Sequence, residues 1–148
     1  MSYVMSFVYL GIYWNNHHHM LHASSRVTGG ILWANLHLLF WLSLVPFVTA
    51  WMGENHFAAV PVALYGVVLF MAACAYFILS TALARHHGKD SKIAVALGKD
   101  FKGKVSLLIY AVAIAVASFS PALSGGLYAL VALMWLIPDR RMEKALAE

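Results

Sequence analysis

Four histidines, two asparagines and a tryptophan crowd into twelve residues of this chain, Gly11-Ile-Tyr-Trp-Asn-Asn-His-His-His-Met-Leu-His22. On a helix, residues at i, i+3, i+4 and i+7 share a face, so Asn15, His18, His19 and His22 form one polar ridge, with Trp14 at its edge one turn before His18. Four kinds of chemistry fit such a ridge. His18 and His22 at i, i+4 can both reach one zinc ion, although no carboxylate or thiol lies nearby in sequence to complete a ligand set. Imidazoles that titrate near neutral pH can relay protons if a wet path runs past them. Amides, imidazoles and an indole N–H can latch helices together where lipid offers no partners. Trp and Tyr with polar neighbours also make the belt that settles at a membrane interface.

A second polar set, Trp33, Asn35 and His37, opens the next apolar run, with Trp41 one turn beyond His37. His-x-x-x-Trp resembles, over two residues only, the proton-gating pair of the influenza viral proton channel. Further along that run Pro46 is expected to kink a helix, with Ser43 or Thr49 available to re-satisfy freed backbone groups.

The elements that carry these residues are membrane helices. Of 148 residues, 62% are hydrophobic and 11% charged, and the mean hydropathy is +0.75. That balance is far from a soluble domain's, and a chain of this size could not bury so much apolar side chain on its own. A span needs about 20 mostly apolar residues. Five segments qualify, at 3–20, 30–50, 60–83, 105–119 and 122–137. The predicted fold is therefore an all-α integral membrane protein, a single membrane domain over 1–148 with five transmembrane helices. The runs are continuous and do not alternate, which argues against a barrel. Pro121, flanked by Ser120 and Ser124, predicts a tight turn joining the last two helices. Ala111 with Ala115, and Ala113 with Ala117, have the spacing of close helix contacts. Cys74 is alone, so no internal disulfide can form, and it reads as a small core hydrophobe.

Charge gives the orientation. Arg26 lies in the first loop, Arg85, Lys89, Lys92, Lys99, Lys102 and Lys104 in the third (84–104), and Arg140, Arg141 and Lys144 in the tail (138–148). With five spans these places fall on one side, so all 10 basic residues and the C-terminus are expected in the cytoplasm. The opposite loops contain Glu54 and no Lys or Arg. The formal charge of +4 reads as a match for anionic lipid headgroups. No basic stripe with aromatic stacking partners is present, so nucleic acid is not expected as a partner. Residues 93–97, between lysines, fit either a short interfacial amphipathic helix or a solvated linker. The same orientation leaves Met1-Ser2-Tyr3 outside with no charge to hold it there, and so predicts a further helix upstream.

Other motifs are missing. The chain contains no Thr-Val-Gly-Tyr-Gly filter, Walker A loop, His-Glu-x-x-His or Gly-x-Ser-x-Gly elbow. The five spans hold no Asp, Glu, Lys or Arg. An enzyme or a proton-coupled carrier would be chemically poor on these spans, whereas a channel with an uncharged pore or a structural subunit is compatible with them. No enzyme activity and no cofactor are expected.

Several separated motifs, in order, carry a family resemblance. They are Gly11-Ile-Tyr-Trp-Asn-Asn-His-His18, Asn35-Leu-His-Leu-Leu-Phe-Trp-Leu-Ser-Leu-Val-Pro-Phe-Val-Thr-Ala-Trp-Met-Gly-Glu54, Ala63-Leu-Tyr-Gly66 and Trp135-Leu-Ile-Pro-Asp-Arg-Arg141. Together, over essentially the whole chain, they resemble the transmembrane-protein-175 family of potassium channels in its bacterial form. The resemblance implies a six-helix subunit, assembled as a homotetramer around one potassium pore lined by the first helix. That helix carries a Phe-Ser-Asp motif. This chain has no such triplet, its nearest string being Phe119-Ser-Pro121, so its five spans correspond to helices two to six of the subunit. In the family, Trp, Asn and His of the second helix hold Phe-Ser-Asp in a hydrogen-bond network. Trp14, Asn15, Asn16 and His18 would then be the receiving half of an inter-helix latch.

The expectation is a potassium-permeable channel subunit of the bacterial inner membrane, truncated at its amino terminus, with potassium as the permeant ion. A non-conducting scaffold or accessory subunit is the alternative, ahead of a His-cluster metal protein or a proton channel.

Overall fold

The computed structural model describes residues 2–22, 27–87 and 100–136. Five helices and no strand occur among the described residues: α1 (Ser2–His22), α2 (Gly29–Glu54), α3 (Ala59–His87), α4 (Phe101–Val116) and α5 (Pro121–Leu136). Most exceed the expected apolar spans by up to a turn, because the backbone hydrogen-bond ladder does not stop where hydropathy does. Ala84 and Arg85 are still in α3, and Lys102 and Lys104 already in α4. The expected interfacial helix at 93–97 lies outside the described residues.

Local chemistry sets the helix starts. Thr28 Oγ1 accepts from the Ile31 amide at 3.4 Å, and Asp100 Oδ1 accepts from the Gly103 amide at 2.8 Å. At α5, Pro121 fills the first helical position and Ser120 Oγ accepts from the Leu123 amide at 3.3 Å, which makes the expected tight turn. α2 ends differently. The Phe57 amide reaches back to the Met52 carbonyl at 3.0 Å, with His56 and Phe57 at φ 51° and 58°. Two consecutive non-glycine residues in the left-handed region make this a costly reversal. Pro46 sits inside α2, and the nearby hydroxyls serve other carbonyls: Ser43 donates to Phe40 O and Thr49 to Val45 O.

Length separates the helices. Only α2 and α3 are long and apolar enough, taken singly, to cross a membrane. α1 has the length but is polar over its second half, and α4 and α5 have 16 residues each. Sixteen residues make about 24 Å of helix, short of a hydrocarbon core of about 30 Å.

α3 is the hub. It packs most extensively on α2 and also on α4 and α5, while α1 lies against α2 and α5. One apolar cluster joins Val45, Val62, Leu69, Tyr110 and Val131, and a second joins Met20, Ile31, Leu38, Leu79 and Leu83. The two alanine pairs of α4 divide. Ala113 and Ala117 are buried, with the Ala113 carbonyl accepting from Ser124 Oγ at 2.7 Å, whereas Ala111 and Ala115 are exposed.

Gly66 allows the closest crossing. The Tyr128 hydroxyl lies over it and donates to Val62 O at 3.2 Å, and a methyl at residue 66 would collide with that hydroxyl and with Ile114. Gly66→Ala is expected to destabilise the bundle by about 1–3 kcal/mol, seen as a lower unfolding temperature in detergent. Tyr128→Phe in the same background should recover part of the loss by removing the clashing atom.

Candidate functional site

α1 has two unlike faces. The side turned into the bundle carries Ser6, Tyr9, Asn16, His17 and Met20, all buried, and the half-buried Tyr13. The outward side carries Val4, Phe7, Val8, Gly11, Trp14 and His18, all exposed. Over residues 4–11 the outward side is apolar, and at Trp14 and His18 it turns polar, while the inward side mixes Ser6, Tyr9, Asn16 and His17 with Met20.

Three hydrogen bonds tie the inward side to three helices. The hydroxyls of Tyr9 and Tyr110 meet at 2.7 Å, joining α1 to α4. The Asn16 amide donates to Ile12 O at 2.9 Å in its own helix and to Trp135 O at 3.2 Å in α5. His17 Nε2–H donates to Asn35 Oδ1 at 2.5 Å in α2. Since an amide oxygen can only accept, this bond places the His17 proton on Nε2.

The bonds continue beyond α1. The Trp135 indole donates to Ser106 Oγ at 2.8 Å, and Ser106 in turn donates to Lys102 O at 2.8 Å. Lys102 Nζ donates to Met134 O at 3.4 Å and lies 6.0 Å from the centre of the Trp135 ring. The carbonyls of Met134 and Trp135, in the last turn of α5, thus receive an ammonium from α4 and an amide from α1. That terminus is where helix carbonyls lack partners and where positive charge is favoured. Tyr76 of α3 closes the cluster edge-on, 5.7 Å from Trp135. Among the described residues no buried side-chain N or O lacks a partner.

The expected latch residues divide between the faces. Asn16 is spent on Trp135 O inside the bundle, and Asn15 is half-buried. Trp14, 62% exposed, stacks on His18 at 5.1 Å and 18°, and His18 stacks on His22 at 6.0 Å and 12°. The three rings make an outward ladder at i, i+4 and i+8. His18 and His22 supply two imidazoles, and no group of three or more His, Cys, Asp or Glu gathers as metal ligands among the described residues.

The second polar set splits likewise. Asn35 turns inward to His17, Trp33 is exposed, and the exposed His37 accepts on Nε2 from the Trp41 indole at 3.0 Å. His18, expected in the latch, is exposed and stacked between Trp14 and His22. The bonded imidazole is His17. The tyrosine pair and Ser106–Trp135 lie in helices whose mutual placement no local pattern reveals. The i, i+3, i+4 run of Ser6, Tyr9, Tyr13 and Asn16 was a readable signal of a polar seam.

A narrow cleft of about 30 Å³ lies between Tyr13, Tyr76, Ser106, Tyr110 and Trp135, with Asp100 at its edge. It has room for about one or two water molecules.

The chain also matches known proteins. A family model described as endosomal/lysosomal potassium channel TMEM175 matches residues 1–46. All 148 residues align at 52% identity with a potassium channel of Chryseobacterium sp. (strain P1-3), covering 77% of that protein. The chain belongs to the TMEM175 potassium-channel family. A potassium channel of Streptomyces collinus (strain DSM 40733 / Tue 365) is 28% identical over 141 residues, 90% of this chain and 68% of the relative. No solved structure matches. The TMEM175 family is one of channels and not of enzymes, and the match on residues 1–46 takes in α1 and the part of α2 that carries Asn35 and His37.

The Tyr9–Tyr110 bond is expected to appear in a double-mutant cycle of Tyr9→Phe and Tyr110→Phe. Unfolding in detergent should give a coupling of about 0.6 kcal/mol, and no more than about 1.7. Ser106→Ala should shift the tryptophan emission of the folded protein, because the Trp135 indole loses its acceptor.

Proposed function

We propose that this TMEM175-family chain is a subunit of a potassium-permeable channel in the bacterial inner membrane. The observation that carries the reading is the 52% identity, over the whole chain, with a relative named as a potassium channel. Potassium is the permeant ion, and no cofactor takes part.

All five helices cross the membrane. α2 and α3 do so on length alone. α1, α4 and α5 follow because they pack alongside, and the short pair spans by local thinning of the bilayer or by tilt of its neighbours. Arg85, Lys102 and Lys104 lie at the end of α3 and the start of α4, which supports a cytoplasmic placement for that end of the bundle and for the C-terminus. Anionic headgroups of the inner leaflet are the counter-charge for these residues.

The working unit is an oligomer, a tetramer by the family resemblance. Trp14 and His18 support the latch reading from the outward side of α1, where they are open to a further helix. Asn15 sits at the edge of that surface, and Asn16 contributes from behind by holding α1 in place.

The test is potassium efflux from liposomes containing purified protein expressed from its native gene. Valinomycin-independent, potassium-selective efflux is expected, and protein that inserts and assembles without efflux contradicts the proposal. His18→Leu or Asn15→Leu should weaken the oligomer by roughly 1–3 kcal/mol per subunit contact, read as dissociation at lower detergent concentration by native mass spectrometry. Unchanged oligomer stability would remove the latch from the account.

A further inference from the structure

The faces of α1 raise the question of what sets its rotation about its own axis. In water, an apolar stripe would turn toward the core. In lipid that force is absent between helices, because acyl chains are as apolar as leucine. The outward side of α1 presents Val4, Phe7 and Val8, and the inward side presents Ser6, Tyr9 and Asn16. Close packing of Tyr9 and Met20 and directional bonds therefore hold the angle, and only the bonds distinguish one rotation from another by named partners.

We infer that Asn16 and His17 act together as a rotational lock that fixes the angle at which α1 presents Trp14 and His18. The two residues are adjacent and so point about 100° apart around the helix. Asn16 reaches Trp135 O in α5, and His17 reaches Asn35 in α2, the two helices between which α1 lies. The Tyr9–Tyr110 bond leaves from about the same direction as Asn16, within about 20° on the wheel, so these two alone leave α1 free to pivot, and the diverging His17 bond removes that freedom. Trp14 and His18 are within about 40° of one another on the wheel, with Asn16 roughly opposite them and His17 about 60° round from Trp14. Turning α1 by one residue's worth of rotation would replace the Trp14–His18 surface with Asn15 and His19.

The acceptors of the lock are themselves fixed. Trp135 is held through its indole by Ser106 and edge-on by Tyr76, so its carbonyl is a rigid anchor. Asn35 sits on α2, which has the most extensive packing with the hub helix α3. Asn16 and His17 are positioning residues in this scheme: they touch no permeant ion and act through the orientation of Trp14 and His18. The inference rests on the channel reading for its functional consequence and not for its geometry.

The experiment is a nitroxide scan of α1 in the complete chain in liposomes, in a Cys74→Ser background, with single cysteines at residues 4, 7, 8, 10 and 11, read as accessibility to oxygen dissolved in the lipid. In bilayers dilute enough to hold single subunits, where no further helix covers the outward side, the unaltered helix should give higher accessibility at 4, 7, 8 and 11 than at 10. Asn16→Leu combined with His17→Leu should move the phase of that pattern and lower potassium efflux about fivefold or more. His17→Gln, which keeps an N–H donor, should preserve both the phase and the efflux. If the double variant does not fold, Asn16→Ala and Asn35→Ala each remove one of the two bonds and should each broaden the pattern. An unchanged phase in the folded variants overturns the lock, and a moved phase with unchanged efflux overturns its consequence for conduction. If the unaltered protein passes no potassium, the channel reading fails, and the nitroxide phase alone still decides whether the lock exists.

Discussion

A lipid-embedded helix cannot leave an N–H or C=O without a partner, and it gains nothing by turning one apolar face rather than another toward its neighbours. Both conditions meet at Asn16. Its amide satisfies a carbonyl in the last turn of α5 while fastening α1 to the bundle. The Trp135 side chain that follows from that carbonyl ties α5 to Ser106 of α4, and Ser106 returns the bond to Lys102. One set of contacts thus closes the end of α5 and joins three helices with no buried charge pair at its centre. Tyr9 and Tyr110 repeat the principle nearer the middle of α1.

The rest of the molecule gives these bonds a rigid frame. α3 lies between α2 and the α4–α5 hairpin, with close approaches bought at residues small enough to permit them. Gly66 admits the Tyr128 hydroxyl, and Ala113 admits Ser124. On that frame α1 is held by Tyr9 and Met20 in the two apolar clusters and by its bonds to Tyr110, Trp135 and Asn35.

The all-helical class was legible from continuous apolar runs, which located the five helices but not their ends, and Pro121 marked the turn before α5. Charge was a poorer guide to helix ends, because Arg85 and Lys102 extend α3 and α4 beyond their apolar stretches. Five spans were expected, and two helices meet the requirement singly, since α1 is polar over its second half and α4 and α5 have 16 residues each. The polar cluster on α1 was visible in the sequence as a cluster but not in its partition. The i, i+4 ladder Trp14–His18–His22 was readable and is present as stacked rings. Which side of the helix met protein was not readable, because the choice between His17 and His18 depends on Asn35 and Trp135, distant in sequence and brought near only by packing. The family resemblance, by contrast, needed only the order of the motifs, and the match of all 148 residues to a potassium channel agrees with it.

The most direct measurement of the central claim is the reversal potential of current through the purified protein in a planar bilayer with unequal potassium on the two sides and a common anion. A channel of this kind predicts a reversal displaced from zero toward the potassium equilibrium potential. A reversal at the anion's potential, or a silent membrane containing assembled protein, would contradict it.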